Sequence, residues 1–227
     1  MAKAMQNHVI VVGYRFLGKY VAESLKRLNA EFVVITRVEA QLETLRSNGI
    51  TALYAPVTHV YEALKEANVE KASTVIATLE NDGENMLTVL TAKKLNSKIK
   101  TISIVNDREL VEGVKSAGAD VVIPYFQIMG QMLATSSLSR EISGVFFSED
   151  LKSKFIAEFK IESPKIVYKD IRGICPILVL SRGDQTIYDF RDDFKLEVGD
   201  FVYVLTDQEC IEAFRDRLNS LTKHKSE

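Results

Sequence analysis

From His8 to about Ile123, short β-branched runs alternate with stretches of helical period. The runs are His8–Val12, Glu31–Ile35, Ile50–Tyr54, Thr74–Ala77, Lys100–Val105 and Asp120–Ile123. Continuous apolar runs of this length suit strands buried on both faces. They recur roughly every 20–25 residues, and each gap holds about one helix. That rhythm predicts βαβ units and a parallel sheet covered by helices.

The gaps carry helix punctuation. Leu17, Val21, Leu25 and Leu28 recur at spacings that put them on one helical face. Leu42 and Leu45 face the core of a second helix, which Gly49 ends. Asn81 with Glu84 resembles a capping box and opens a helix over Asp82–Leu95. Asn106 with Glu109 repeats the device before Leu110–Ala117, and Gly118 stops that helix.

After Pro124 the rhythm changes. Phe126, Met129 and Leu133 fall on one face of a further helix, which Ser136, Ser137 and Ser139 interrupt. The division into domains is expected here, as 1–139 and 140–227. The remainder reads as strands at Phe155–Ile161, Cys175–Leu180, Thr186–Phe190 and Phe201–Leu205, with turns at Arg182–Asp184 and Gly199-Asp200. Ser163-Pro164 is a helix-start signal, and Asp207–Leu218 closes as an amphipathic helix. This second unit is a small α+β unit, a size at which burial is marginal and a partner is expected.

Composition narrows the picture. The chain has 227 residues, 46% hydrophobic and 26% charged, values that exclude disordered and fibrous classes. Its net charge is -2, which does not favour nucleic-acid binding through global charge. No apolar run approaches the roughly 20 residues needed to cross a bilayer, and the N-terminus lacks signal-peptide organisation. The expectation is a soluble chain without direct membrane insertion. Cys175 and Cys210 form no CxxC pair and are expected as free thiols in a reducing cytosol. His8, His59 and His224 are dispersed and show neither metal spacing nor a triad.

The chemistry concentrates after the first strand. Gly13-Tyr14-Arg15-Phe16-Leu17-Gly18 stands where a dinucleotide fold places G-x-G-x-x-G. The first and third glycines are kept, so a helix N-terminus can face a phosphate. Arg15 replaces the middle glycine and crowds the backbone, although its guanidinium could itself grip phosphate. A ribose-binding acid is expected at the end of the second strand, but Thr36 and Arg37 stand there. Arg37 suits a phosphate. The cofactor-binding candidates are therefore Gly13, Tyr14, Arg15, Phe16, Gly18, Thr36, Arg37 and Thr78. The bland alternative is a tight strand-to-helix turn with no ligand. Glu80, Asp82 and Glu84 could hold a divalent cation, but capping and charge at a helix N-terminus explain them without one.

The segments VIVVGYRFLG at 9–18, ALKEANVEKASTVIATLENDGENMLTVLTAKKLN at 63–96 and AGADVVIP at 117–124 resemble the RCK (KTN) family, regulators of potassium conductance. Residues from about Asp150 to Leu218, with Leu196-Glu197-Val198-Gly199-Asp200, are similar to the C-terminal RCK subdomain. The resemblance implies a Rossmann-like α/β sheet with helices on both faces, a crossover helix over Tyr125–Leu138, and a small α+β C-terminal subdomain. It further implies a cytoplasmic gating domain at the inner face of the membrane, paired as a homodimer or built into an octameric ring. The implied partner is a pore-forming potassium channel or transporter subunit, or a pore domain of the same gene. The implied ligand is a nucleotide (ATP, ADP or NAD) or a cation. Calcium-gated members use carboxylates where Thr78, Ile104 and Asn106 stand, which argues against calcium in that cleft. The competing reading is an NAD(P)-dependent oxidoreductase of Rossmann type, which would need a proton donor that the sequence does not offer.

Overall fold

The computed structural model describes residues 2–138, 142–145, 155–164 and 166–223. The chain forms two compact units, Met1–Gln127 and Ile128–Glu227. The division falls inside the helix that follows Pro124, earlier than the serine-rich stretch where the sequence suggests it.

The first unit runs β1 (Val9–Val12), α1 (Phe16–Arg27), β2 (Phe32–Thr36), α2 (Gln41–Ser47), β3 (Thr51–Tyr54), α3 (Val60–Glu66), β4 (Thr74–Ala77), α4 (Asp82–Leu95), β5 (Lys100–Val105), α5 (Val111–Ser116) and β6 (Val121–Pro124). Its sheet has the order β3-β2-β1-β4-β5-β6, and every pairing is parallel. The alternation of the strands fills both faces. Ile10, Val33 and Val75 pack with Ala63 and Leu64 of α3 and Ala92 of α4. Val11, Val34 and Ala52 pack with Ala22 of α1 and Leu45 of α2. The strand order reverses between β1 and β4, so the loops after these parallel strands diverge and leave a crevice at their carboxyl ends.

The helix α6 (Tyr125–Leu138) crosses the division between the units, and Phe126, Met129 and Leu133 are exposed on it. The second unit continues with β7 (Ile142–Val145), β8 (Phe155–Lys160), α7 (Tyr168–Ile171), β9 (Ile177–Arg182), β10 (Gln185–Ile187), β11 (Phe201–Thr206) and α8 (Gln208–Lys223). Its sheet has the order β10-β9-β11-β8-β7, with antiparallel pairings. Phe159 of β8 meets Phe214 of α8 at 4.7 Å between ring centres, inside a core that includes Val202, Val204 and Ile211.

Several expectations are corrected. Cys175 and Cys210 are joined as a disulfide, with Cα atoms 6.1 Å apart, not left as free thiols. Sequence spacing could not show that the loop before β9 meets the first turn of α8. Leu28 lies beyond the last helical residue of α1 and is exposed, while Val21 and Leu25 of the expected face do pack on the core, beside the buried Gly18 and Ala22. Ser163-Pro164 starts no helix, because α7 begins at Tyr168 after a bridge at Val167. Asp107, not Asn106, caps the turn before α5 by accepting the Glu109 N–H at 2.9 Å. The tail residue His224 lies outside the described residues.

Candidate functional site

The crevice is built first by two glycines. Gly13 ends β1 with φ +105°, a conformation that side-chain-bearing residues rarely adopt. A Cβ on Gly18 would stand 2.1 Å from the Gly13 carbonyl oxygen and 2.7 Å from Thr78 Oγ1. Both positions therefore require glycine for packing, whatever the crevice holds. Thr78 Oγ1 lies 3.1 Å from the Val12 carbonyl and 3.2 Å from that of Gly13, so its buried hydroxyl serves the turn.

The turn leads into an open helix end. Arg15 is the N-cap of α1 and makes no side-chain cap, and no acidic residue stands in the first turn. The first N–H groups of α1 thus lack a side-chain acceptor, the local condition for an anion site. Phe16 adopts φ +35° and is 71% exposed. Such a backbone costs about 1–3 kcal/mol for a residue other than glycine. The Arg15 guanidinium carbon lies 5.3 Å from the Phe16 ring centre.

On the β2 side, Thr36 is buried. Its hydroxyl donates to Gln41 Oε1 at 2.6 Å and accepts from the Val38 N–H at 3.1 Å. Gln41 Nε2 faces the Tyr14 carbonyl at 3.5 Å, so the end of β2 is linked to the glycine turn.

Opposite stands the loop from β4 to α4. Asn85, fully buried, accepts the Leu79 N–H at 2.8 Å and donates to the carbonyls of Leu79 (2.9 Å) and Ile104 (3.3 Å). Asn81 caps α4 by accepting the Glu84 N–H at 3.1 Å. Asp82 accepts the N–H groups of Asn106 and Asp107, at 2.9 and 3.0 Å. These bonds hold two glutamates at the rim. Glu80 meets Arg15 at 3.1 Å, and Glu84 meets Arg37. Sequence reading considered both glutamates as cation ligands or as helix-end charges and missed these pairings, whose partners lie 65 and 47 positions away. It gave Asn85 no structural role, although the residue ends the Glu-Asn-Asp-x-x-Asn stretch within the segment that carries the RCK resemblance. Position 36 does lack a carboxylate, but Glu84 brings one to the same corner. Among the described residues, no group of three or more His, Cys, Asp or Glu could hold a metal ion.

Between the two lips lies a narrow cleft with a free volume of about 20 Å³, room for about one water. Val12, Ile35, Ala55 and Leu79 give it apolar walls, and Arg37 and Glu84 stand at its edge. The structure thus gathers Gly13, Tyr14, Arg15, Phe16, Gly18, Thr36, Arg37 and Thr78 around one crevice. Of these, Arg37 lines the cavity itself, while Thr36 and Thr78 spend their hydroxyls on the loops.

A turn with two required glycines, an uncapped helix behind it and a parallel sheet whose strand order reverses at β1 and β4 make up a Rossmann-like crevice. The model of the TrkA-N domain matches residues 9–124 of this chain. The chain belongs to the TrkA-N domain family. The TrkA-N chain is 30% identical over 226 residues to potassium channel protein 1 of Methanocaldococcus jannaschii, covering 94% of this chain and 67% of that protein. It is 30% identical over 240 residues to probable potassium channel protein 2 of the same organism, covering 98% and 69%. Among solved structures, the GsuK RCK domain superposes with a TM-score of 0.51 at 20% identity, over 96% of this chain and 48% of that one. GsuK bound to ADP superposes with a TM-score of 0.53 at 24% identity, over 61% and 36%. The RCK resemblance and the Rossmann-like architecture read from the sequence are borne out.

Proposed function

We propose that this TrkA-N chain is a cytosolic ligand-sensing domain that regulates a potassium channel or transporter, and that it acts by binding and not by catalysis. The observation that carries the reading is the crevice: an uncapped α1 N-terminus behind Gly13, next to an apolar cavity. That pairing suits a nucleotide, with phosphate at the helix end and the base laid over the apolar cleft, which must widen to admit it. The ADP in a GsuK structure supports the same ligand class. Arg15 faces the phosphates, and the relatives' names supply the potassium pore as partner.

Gating then follows from differential affinity. A ligand that binds one arrangement of paired domains more tightly shifts the population toward it, and the shift is transmitted to the pore. Pairing would use α6, whose exposed Phe126, Met129 and Leu133 form an apolar face suited to a second copy. Light scattering at tens of micromolar should report a dimer or a larger ring. Asp at both Phe126 and Met129 should dissociate it by burying two unpaired charges.

The nucleotide reading is tested by calorimetry with ATP, ADP and NAD on the parent chain, Arg15→Ala and Arg15→Gly. If Arg15 holds phosphate, Arg15→Ala weakens binding about tenfold. If Arg15 obstructs the backbone, Arg15→Gly strengthens binding. Silence of all three proteins toward all three nucleotides would overturn the nucleotide reading and leave an ion or a protein as the signal.

A further inference from the structure

Dinucleotide crevices commonly place an acid at the end of the second strand to accept the ribose hydroxyls. In this chain that place is taken by Thr36, whose hydroxyl is committed to Gln41 and Val38. The next residue, Arg37, turns to Glu84 from the first turn of α4. Both side chains are largely shielded, 30% and 25% exposed, and both border the cavity. The Glu84 backbone is fixed by the Asn81 cap, and its side chain is fixed by Arg37 through Oε2. A carboxylate has room for further hydrogen bonds beyond that one.

We infer that Glu84, oriented by Arg37, takes over the role of the missing acid and reads the ribose 2′-hydroxyl of a purine nucleotide bound in this crevice. The inference rests on the nucleotide reading above and adds the specificity of the site. Glu84 is the group that touches the ligand, and Arg37 is a positioning residue. The arrangement selects a free 2′-hydroxyl. A 2′-phosphate would bring its charge against the Glu84 carboxylate, and a 2′-deoxy sugar would leave that carboxylate short of a donor. The alternative role for the corner gives Arg37 to a 2′-phosphate, as in sites that prefer NADP. The two roles predict opposite orders of affinity.

The test is calorimetry on the whole 227-residue chain with ADP, 2′-deoxy-ADP, NAD and NADP. The parent chain should bind ADP about tenfold more tightly than 2′-deoxy-ADP, and NAD more tightly than NADP. Glu84→Gln should lower ADP affinity to the level of 2′-deoxy-ADP and leave 2′-deoxy-ADP itself unchanged. A merely structural role for Glu84 would weaken both alike. Equal affinity of the parent for ADP and 2′-deoxy-ADP, or a preference for NADP that Arg37→Ala abolishes, would overturn the inference while the nucleotide reading stands. No binding of any of the four would overturn both. The comparison of ligands on the parent chain decides the matter even if Glu84→Gln fails to fold.

Discussion

Arg182 of the C-terminal unit meets Asp200 through two nitrogens, Nε and Nη2, each at 2.8 Å, and Asp200 is 1% exposed. Arg15 of the N-terminal unit reaches Glu80 through Nη1 alone, and the two side chains are 59% and 53% exposed. The first pair is a staple. Asp200 also accepts the Glu197 N–H at 2.8 Å, and Arg182 reaches Glu197 and the Lys195 carbonyl, so the turn before β11 is held from every side. The second pair is a latch, since water already competes for both partners and a phosphate could displace the carboxylate at small cost. The same two chemical groups therefore serve rigidity in one unit and exchange in the other. The geometry of the hydrogen bonds and the depth of burial decide which.

The comparison breaks most visibly at the staple. Arg182→Met leaves Asp200 buried without its cation and should cost about 3 kcal/mol, read as a lower urea midpoint. Burial alone would raise the Asp200 carboxyl, but the Arg182 hydrogen bonds and the Glu197 N–H outweigh it and hold it below the ordinary carboxylate range. A depressed folded-state value means that Asp200 contributes its stability above its unfolded value, about pH 4, and loses it as pH falls through the folded one. The stability gap between the parent and Asp200→Asn should accordingly be full at pH 6 and narrow below pH 4. A gap independent of pH would contradict the staple.

Gly18→Ala comes next. Its Cβ would collide with the Gly13 carbonyl, and overpacking of this kind costs about 1–3 kcal/mol. It should also weaken ADP binding in calorimetry, because α1 must move away from the turn. The smallest effect belongs to the latch. Arg15→Ala should change stability by less than about 1 kcal/mol, since the pair is exposed, while its effect on nucleotide affinity is the larger one. A stability loss above that, measured in urea, would make the latch a second staple.

These contrasts also mark what the sequence could disclose. The six strands of the parallel sheet were legible because each lies in a short apolar run, mostly β-branched, and the start of α4 because Asn81 caps it. The glycine turn was legible as well, since Gly13 and Gly18 meet requirements of φ and contact that only glycine satisfies. What stayed hidden depends on contacts between distant positions. Arg37 read as a phosphate contact and Glu84 as a cation ligand or helix-end charge, and their pairing shows only once β2 and α4 are brought to one corner. Cys175 and Cys210 carried no local pattern and meet only through the packing of α8 on its sheet. The strand β7 fell beside the serine-rich stretch read as the domain boundary, with Gly144 inside it, and went unrecognised.

The most direct test of the central claim, that the N-terminal crevice is the sensing site, is an amide NMR titration of the labelled chain with ADP. The account predicts that the signals of Gly13, Gly18, Leu79 and Glu84 move together with one affinity, while those of Glu197, Gly199 and Asp200 stay in place. Movement confined to the C-terminal unit, or no movement at saturating ADP, would contradict it.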